Sequence, residues 1–135
     1  MPLVIDASVT LAWCLEDEQS EYADGILQRV SEDSAMVPSL WPIEIANGLI
    51  VAERRGRLRA AEIPRINNLL SVLSIAAEEP ALGPALGPVL SLARTHELTA
   101  YDASYLELAM REGLALATVD RNLRAAAHNS GVPLA

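Results

Sequence analysis

Two short apolar runs, Leu3-Val4-Ile5 and Leu114-Ala115-Leu116-Ala117, each give way within three residues to a carboxylate, at Asp6 and at Asp120. A strand that is apolar on both faces must be covered on both faces, which is the situation of a strand inside a parallel sheet flanked by helices. The polar stop then falls beyond the carboxyl end of the strand, where open α/β sheets place their functional crevice. This single pattern constrains both the fold and the position of a site.

The intervening segments carry helical spacing. Ser8 can cap a helix from about Val9 to Leu15, and a second helix covers Glu21 to Val30 through Ala23, Ile26, Leu27 and Val30. Ala35 to Val37, stopped by Pro38, reads as the second strand. Pro42 opens a third helix that ends near Gly56, and Ala60 to Leu73 forms a fourth, followed by a strand near Val72 to Ala76. The tandem Ala-Leu-Gly-Pro at 81–84 and 85–88 reads as a loop. Val89 to His96 and Tyr101 to Glu112 are helical, Leu114 to Thr118 is the fourth strand, and Asn122 to His128 the final helix. Gly131 to Leu134 can add an edge strand, where Pro133 is tolerated. The expected fold is α/β: a three-layer α/β/α sandwich with a mainly parallel sheet of four to five strands. With 135 residues the chain has material for one core, so residues 1–135 are read as a single domain.

Composition removes several alternatives. An apolar share of 51% excludes intrinsic disorder. Ten basic residues, all arginine, against eighteen acidic ones give a net charge of −8, so the chain cannot grip nucleic acid through bulk positive charge. Any such role needs a local site. Cys14 is the sole cysteine and lies in an apolar stretch, which makes it a buried reduced thiol. The start lacks a charged leader region and no apolar run approaches the ~18 residues of a membrane span, so a cytoplasmic protein without a membrane association is expected. The third helix, with Ile43, Ile45, Ala46, Leu49, Ile50, Val51 and Ala52, is apolar around most of its circumference. It is either a central core helix or a self-association face.

Four acids stand where strands end or the following helices begin: Asp6, Glu44, Asp102 and Asp120. Each alone is explained by helix capping and the macrodipole. Gathered at one sheet edge, however, they would repel one another unless a cation neutralised them. Hard oxygen donors favour Mg²⁺, with Mn²⁺ as an alternative, and the isolated His96 and His128 offer no zinc site. Small polar side chains accompany the acids: Ser8, Asn47, Thr118 and Asn122. They either orient carboxylates and waters or cap locally. Arg54, Arg55, Arg57 and Arg59 form the one basic cluster, which either guides a phosphate backbone or stabilises a helix end. Trp41 and Tyr101 flank two of the acids and either stack on a base or pack around the site.

The ordered set Val4-Ile5-Asp6-Ala7-Ser8, Pro42-Ile43-Glu44-Ile45-Ala46-Asn47, Leu98 to Ala109 and Ala117-Thr118-Val119-Asp120 resembles the successive motifs of PIN-domain ribonucleases. Length and motif order are similar to the VapC toxins of bacterial toxin–antitoxin pairs. The resemblance spans nearly the whole chain and implies a PIN-like fold. It makes Asp6, Glu44, Asp102 and Asp120 the catalytic quartet, with Asp6 and Asp102 as direct metal ligands. Asp120 is assigned to a water-bridged or second metal contact, Glu44 to ligation or to orienting the attacking water. It also implies an RNA substrate, a cognate antitoxin partner and a homodimer. The competing reading is a non-catalytic module whose acidic crevice binds RNA or a basic peptide. A phosphoacceptor of the receiver type would need a lysine, which this chain lacks.

Overall fold

The computed structural model describes residues 1–135. Four strands, β1 (Leu3–Ile5), β2 (Ala35–Val37), β3 (Ile75–Ala77) and β4 (Leu116–Ala117), form one sheet in the order β3-β2-β1-β4. All three pairings are parallel, with Val4 opposite both Met36 and Leu116. β1 is therefore central, and its three residues are all buried. The edge strand β3 is mostly exposed.

The helices follow the strands: α1 (Ala7–Cys14), α2 (Glu21–Glu32), α3 (Trp41–Arg54), α4 (Ile63–Ser71), α5 (Leu82–Pro84), α6 (Leu90–His96), α7 (Ala100–Glu112) and α8 (Arg121–Asn129). The main core joins β1, β2 and β4 to the inner faces of α1, α2, α7 and α8. A small second cluster of Cys14, Leu15, Ala52, Leu58 and Ile66 fastens α1 to α3 and α4. Gly48 permits the close approach of α3 to α1, because a Cβ there would meet Leu11 Cδ1 at 2.5 Å. The expected α/β fold with a parallel sheet is thus what the chain adopts, and no helix is long and apolar enough to cross a membrane.

Several local expectations are corrected. The segment after Pro80 is helical, not a loop: α5 continues as a π-helical stretch, Ala85–Val89, into α6. Pro88 lacks an N–H and crowds the carbonyl four residues back, and the wider π turn relieves that conflict. The anticipated fifth strand shrinks to one parallel bridge, Leu116 to Leu134. β3 begins only at Ile75, because α4 runs to Ser71 and Val72 serves as its C-cap. Asp6 caps α1 in place of Ser8, which sits inside the helix. α3 is neither wholly core nor wholly surface: Trp41, Ile45 and Ala52 are buried, whereas Ile43 and Ile50 are exposed.

Candidate active site

The central strand delivers Asp6 into a corner built to hold a carboxylate. Asp6 is only 4% exposed. Its Oδ1 accepts from the Val9 backbone N–H at 3.0 Å and from Ser8 Oγ at 2.7 Å, while its Oδ2 accepts from the Thr118 hydroxyl. Ser8 Oγ also accepts from the Val119 N–H at 3.1 Å, and Thr118 Oγ1 accepts from the Asp120 N–H at 3.0 Å. Adjacent parallel strands β1 and β4 thus end in a shared hydrogen-bonded knot. Burial nevertheless outweighs these donors and pushes the Asp6 carboxyl up to about 6, with the nearby Asp102 charge adding to the rise.

The other acids reach the same edge from helix starts. Asp120 caps α8, its Oδ2 accepting from the Leu123 N–H at 2.8 Å. Thr99 caps α7, and Asp102 lies in that helix's first turn, half-buried. Burial raises the Asp102 carboxyl, Asp120 raises it further, and Thr99 opposes the shift. Glu44, in the first turn of α3, accepts from Tyr105 Oη at 2.6 Å. Burial raises its carboxyl too, Tyr105 partly offsets this, and Asp102 adds to it. The couplings Asp6–Asp102, Glu44–Asp102 and Asp102–Asp120 make Asp102 the hub of the quartet.

These donors are hard oxygens whose negative charge is in excess, which fits a divalent cation of the Mg²⁺ type. No three His, Cys, Asp or Glu side chains are gathered as a ready ligand set, so an ion would have to draw the carboxylates inward against their mutual repulsion. Sulfur and imidazole ligands are absent from the corner: Cys14 is buried in the second apolar cluster with its thiol pushed up to about 11, and His96 Nε2 lies 3.1 Å from Ser130 Oγ.

Of the accompanying residues, Ser8 and Thr118 join the acids directly. Asn47 is exposed and lines, with Glu44, Tyr101, Leu11 and Ile43, a cavity of about 480 Å³. Asn122 is exposed in the first turn of α8 and makes no hydrogen bond to an acid. Trp41 is buried, its indole N–H donating to Thr10 Oγ1 at 3.1 Å, so it packs and does not offer a stacking face. Tyr101 is 64% exposed and remains available.

The arginine cluster is displaced from the acids. Arg54 lies ten residues beyond Glu44 along α3, about 15 Å at 1.5 Å per residue. Arg57 is committed to Asp17, at 2.7 and 3.0 Å, and to Glu18 at 2.9 Å. A phosphate backbone guided by these arginines would run at that distance from Glu44, and Arg57 would join it only by giving up its carboxylate partners.

Three residues escaped the sequence reading. Tyr105, three positions after Asp102 and so on its helical face, is almost fully buried, and that burial, reinforced by its bond to Glu44 and by the Asp6 and Asp102 charges, holds its hydroxyl far above the ordinary phenol range. Thr10 Oγ1 donates to the Asp6 carbonyl at 3.1 Å. Arg124 Nη1 donates to the Thr118 carbonyl at 2.8 Å while its guanidinium lies 5.4 Å from the centre of the Tyr22 ring. Helical spacing from Asp102 and from Asp120 was the available signal for Tyr105 and Arg124.

The PIN-domain family model matches residues 3–129, nearly the entire chain. This chain belongs to the PIN-domain family. Relatives of this PIN protein include one named ribonuclease VapC3 from Pyrobaculum aerophilum, 34% identical over 123 residues, covering 91% of this chain and 92% of that one. Another, named ribonuclease VapC9 from Mycobacterium tuberculosis, is 36% identical over 121 residues, covering 90% and 87%. Among solved structures, PAE2754 from Pyrobaculum aerophilum superposes with a TM-score of 0.70 at 30% identity, covering 93% of this chain and 86% of that chain. FitAcB from Neisseria gonorrhoeae, at 18% identity, shares the fold with a TM-score of 0.66 over 98% of this chain and 95% of that one. The PIN fold accounts for the parallel sheet and the helices that flank it.

Proposed function

We propose that this PIN protein is a Mg²⁺-dependent endoribonuclease toxin, with Mn²⁺ as a competent substitute, held in check by a cognate antitoxin. The observation that carries the reading is the coupling of Asp102 to Asp6, Glu44 and Asp120 beyond the strand ends, with three of the four carboxyls pushed upward by burial and by one another. Asp6, Asp102 and Asp120 would hold the ion. When bound, it supplies positive charge against the phosphate and lowers the pKa of a coordinated water. Asp6 is pre-set for this by its three donors, which fix the direction of both oxygens. Glu44 has one oxygen tied to Tyr105, and its other oxygen would be the one to accept a proton from the attacking water. Ser8 and Thr118 keep β1 and β4 in register at the point of reaction.

The toxin reading rests on the VapC-named relatives aligned along nearly the whole chain. It is joined by two expectations: a homodimer built on α3, whose Ile43 and Ile50 are exposed, and a cytoplasmic site of action on RNA. The test is cleavage of total RNA and purified tRNA by antitoxin-free protein with Mg²⁺, with EDTA, and by Asp102→Asn. Discrete fragments should form only with metal and vanish in the variant. Equal behaviour of wild type and variant overturns the nuclease reading and leaves a binding role for the same crevice.

A further inference from the structure

A substrate with one negative charge per nucleotide must approach a chain of net charge −8 at its most acidic point. The ten arginines divide so as to narrow where it is held. Arg57 engages Asp17 and Glu18, Arg59 and Arg65 face Glu62, and Arg111 engages Glu78, Glu107 and Glu112. Arg124 serves the Thr118 carbonyl. Arg29 lies in the last turn of α2, whose C-cap Asp33 pairs with the chain's amino terminus at the sheet edge opposite the acids. Arg54 and Arg55 end α3, about 15 Å from Glu44. Arg94 and Arg121 remain. Both are exposed and free of ion pairs, and they sit on the segments that lead into Asp102 and out of Asp120.

Arg94 lines a groove of about 460 Å³ with His96, Glu97, Asn122 and Asn129 over a floor of Ala125 and Ala126. That volume lies within the ~300–1,000 Å³ typical of small-ligand sites. The groove begins at Asn122, two residues after Asp120, and follows one face of α8 to Asn129, about 10 Å at helical rise. Its chemistry matches an unpaired nucleotide. A guanidinium binds a phosphate through paired N–H donors. Each asparagine amide offers both a donor and an acceptor, as the edge of an unpaired base requires. His96 is held at the far end by Ser130.

We propose that this groove is the nucleotide subsite of the protein, holding single-stranded RNA to one side of the bond that is cut, with Arg94 on a phosphate and Asn122 and Asn129 on a base. The proposal rests on the ribonuclease reading above. It is tested by the binding of a short unstructured, fluorescently labelled RNA in EDTA, and by cleavage of the same RNA with Mg²⁺. Wild type, Arg94→Ala, Asn129→Ala and the distant control Arg55→Ala are compared; all three positions are exposed, and melting curves verify the fold. Arg94→Ala should weaken binding about tenfold and reduce the slope of log affinity against log salt by about one. Asn129→Ala should redistribute the cut positions, and Arg55→Ala should match wild type. If wild type binds and cuts while Arg94→Ala and Asn129→Ala do the same equally well, the groove is overturned and the nuclease reading stands. If wild type neither binds nor cuts RNA under any metal condition, the nuclease reading falls and the subsite with it.

Discussion

The corner around Asp6 and the flank formed by Glu44 and Asp102 hold the same chemical group in opposite ways. Asp6 is buried at the end of the central strand and accepts from a backbone amide and two hydroxyls drawn from both ends of the chain. Glu44 and Asp102 are half-buried at helix starts, and Glu44 has a single side-chain donor, Tyr105. The Asp6 corner is part of the scaffold, so its charge weighs on folding stability. The flank is placed by whole helices, so changes there register in activity with little effect on the fold.

The largest effect is expected at the hub. Asp102→Asn should lower the RNA cleavage rate on the order of 10²–10³-fold, equivalent to the several kcal/mol a metal ion contributes to the transition state, while leaving the melting temperature at or above that of wild type. Asp6→Asn should match that loss and also stabilise the metal-free protein. The sign follows from linkage: a folded-state carboxyl raised from 3.8 to about 6 binds its proton more tightly than in the unfolded chain, so stability falls as pH rises between those values. At pH 7 the penalty is about 2–3 kcal/mol, and it is absent below about pH 4. Urea unfolding of wild type and Asp6→Asn across that range should therefore diverge on going from acid to neutral.

Thr118→Val tests the knot itself. It removes the donor to Asp6 Oδ2 and the acceptor of the Asp120 N–H together, and it should cost about 1–3 kcal/mol in denaturant unfolding as well as activity. Tyr105→Phe removes only the hydroxyl on Glu44, so the flank behaviour predicts a cleavage rate lowered about tenfold with a melting temperature within a few degrees of wild type. In a Glu44→Gln background the same change should have little further effect, as a double-mutant cycle reads directly. The smallest effect is expected at Arg57→Ala, a partly exposed ion pair away from the acids, which should shift stability by under ~1 kcal/mol and leave cleavage unchanged.

The difference between corner and flank also explains what the sequence disclosed. The parallel sheet and the four acids were readable because uninterrupted apolar runs and their polar stops are local features, and a parallel sheet brings its strand ends together. Asp6 as the cap of α1 was missed because Ser8 is an equally good capping residue; only the distant Thr118 and Val119 explain why Ser8 turns to bracing instead. Gly and Pro at 83–88 signalled a loop, yet packing against α7 imposes a helix that yields to Pro88 by widening into a π turn. The arginine cluster was conspicuous by composition alone, and the length of α3 carries it away from the acids.

A cation that relieves the unfavourable charge at Asp6 is detected without any substrate by melting wild type and Asp6→Asn at neutral pH, each with EDTA and with Mg²⁺ or Mn²⁺. Metal should raise the melting temperature of wild type and leave that of Asp6→Asn unmoved, while in EDTA the variant should be the more stable of the two. A wild type indifferent to metal, or equal shifts in both proteins, would show that Asp6 holds no cation.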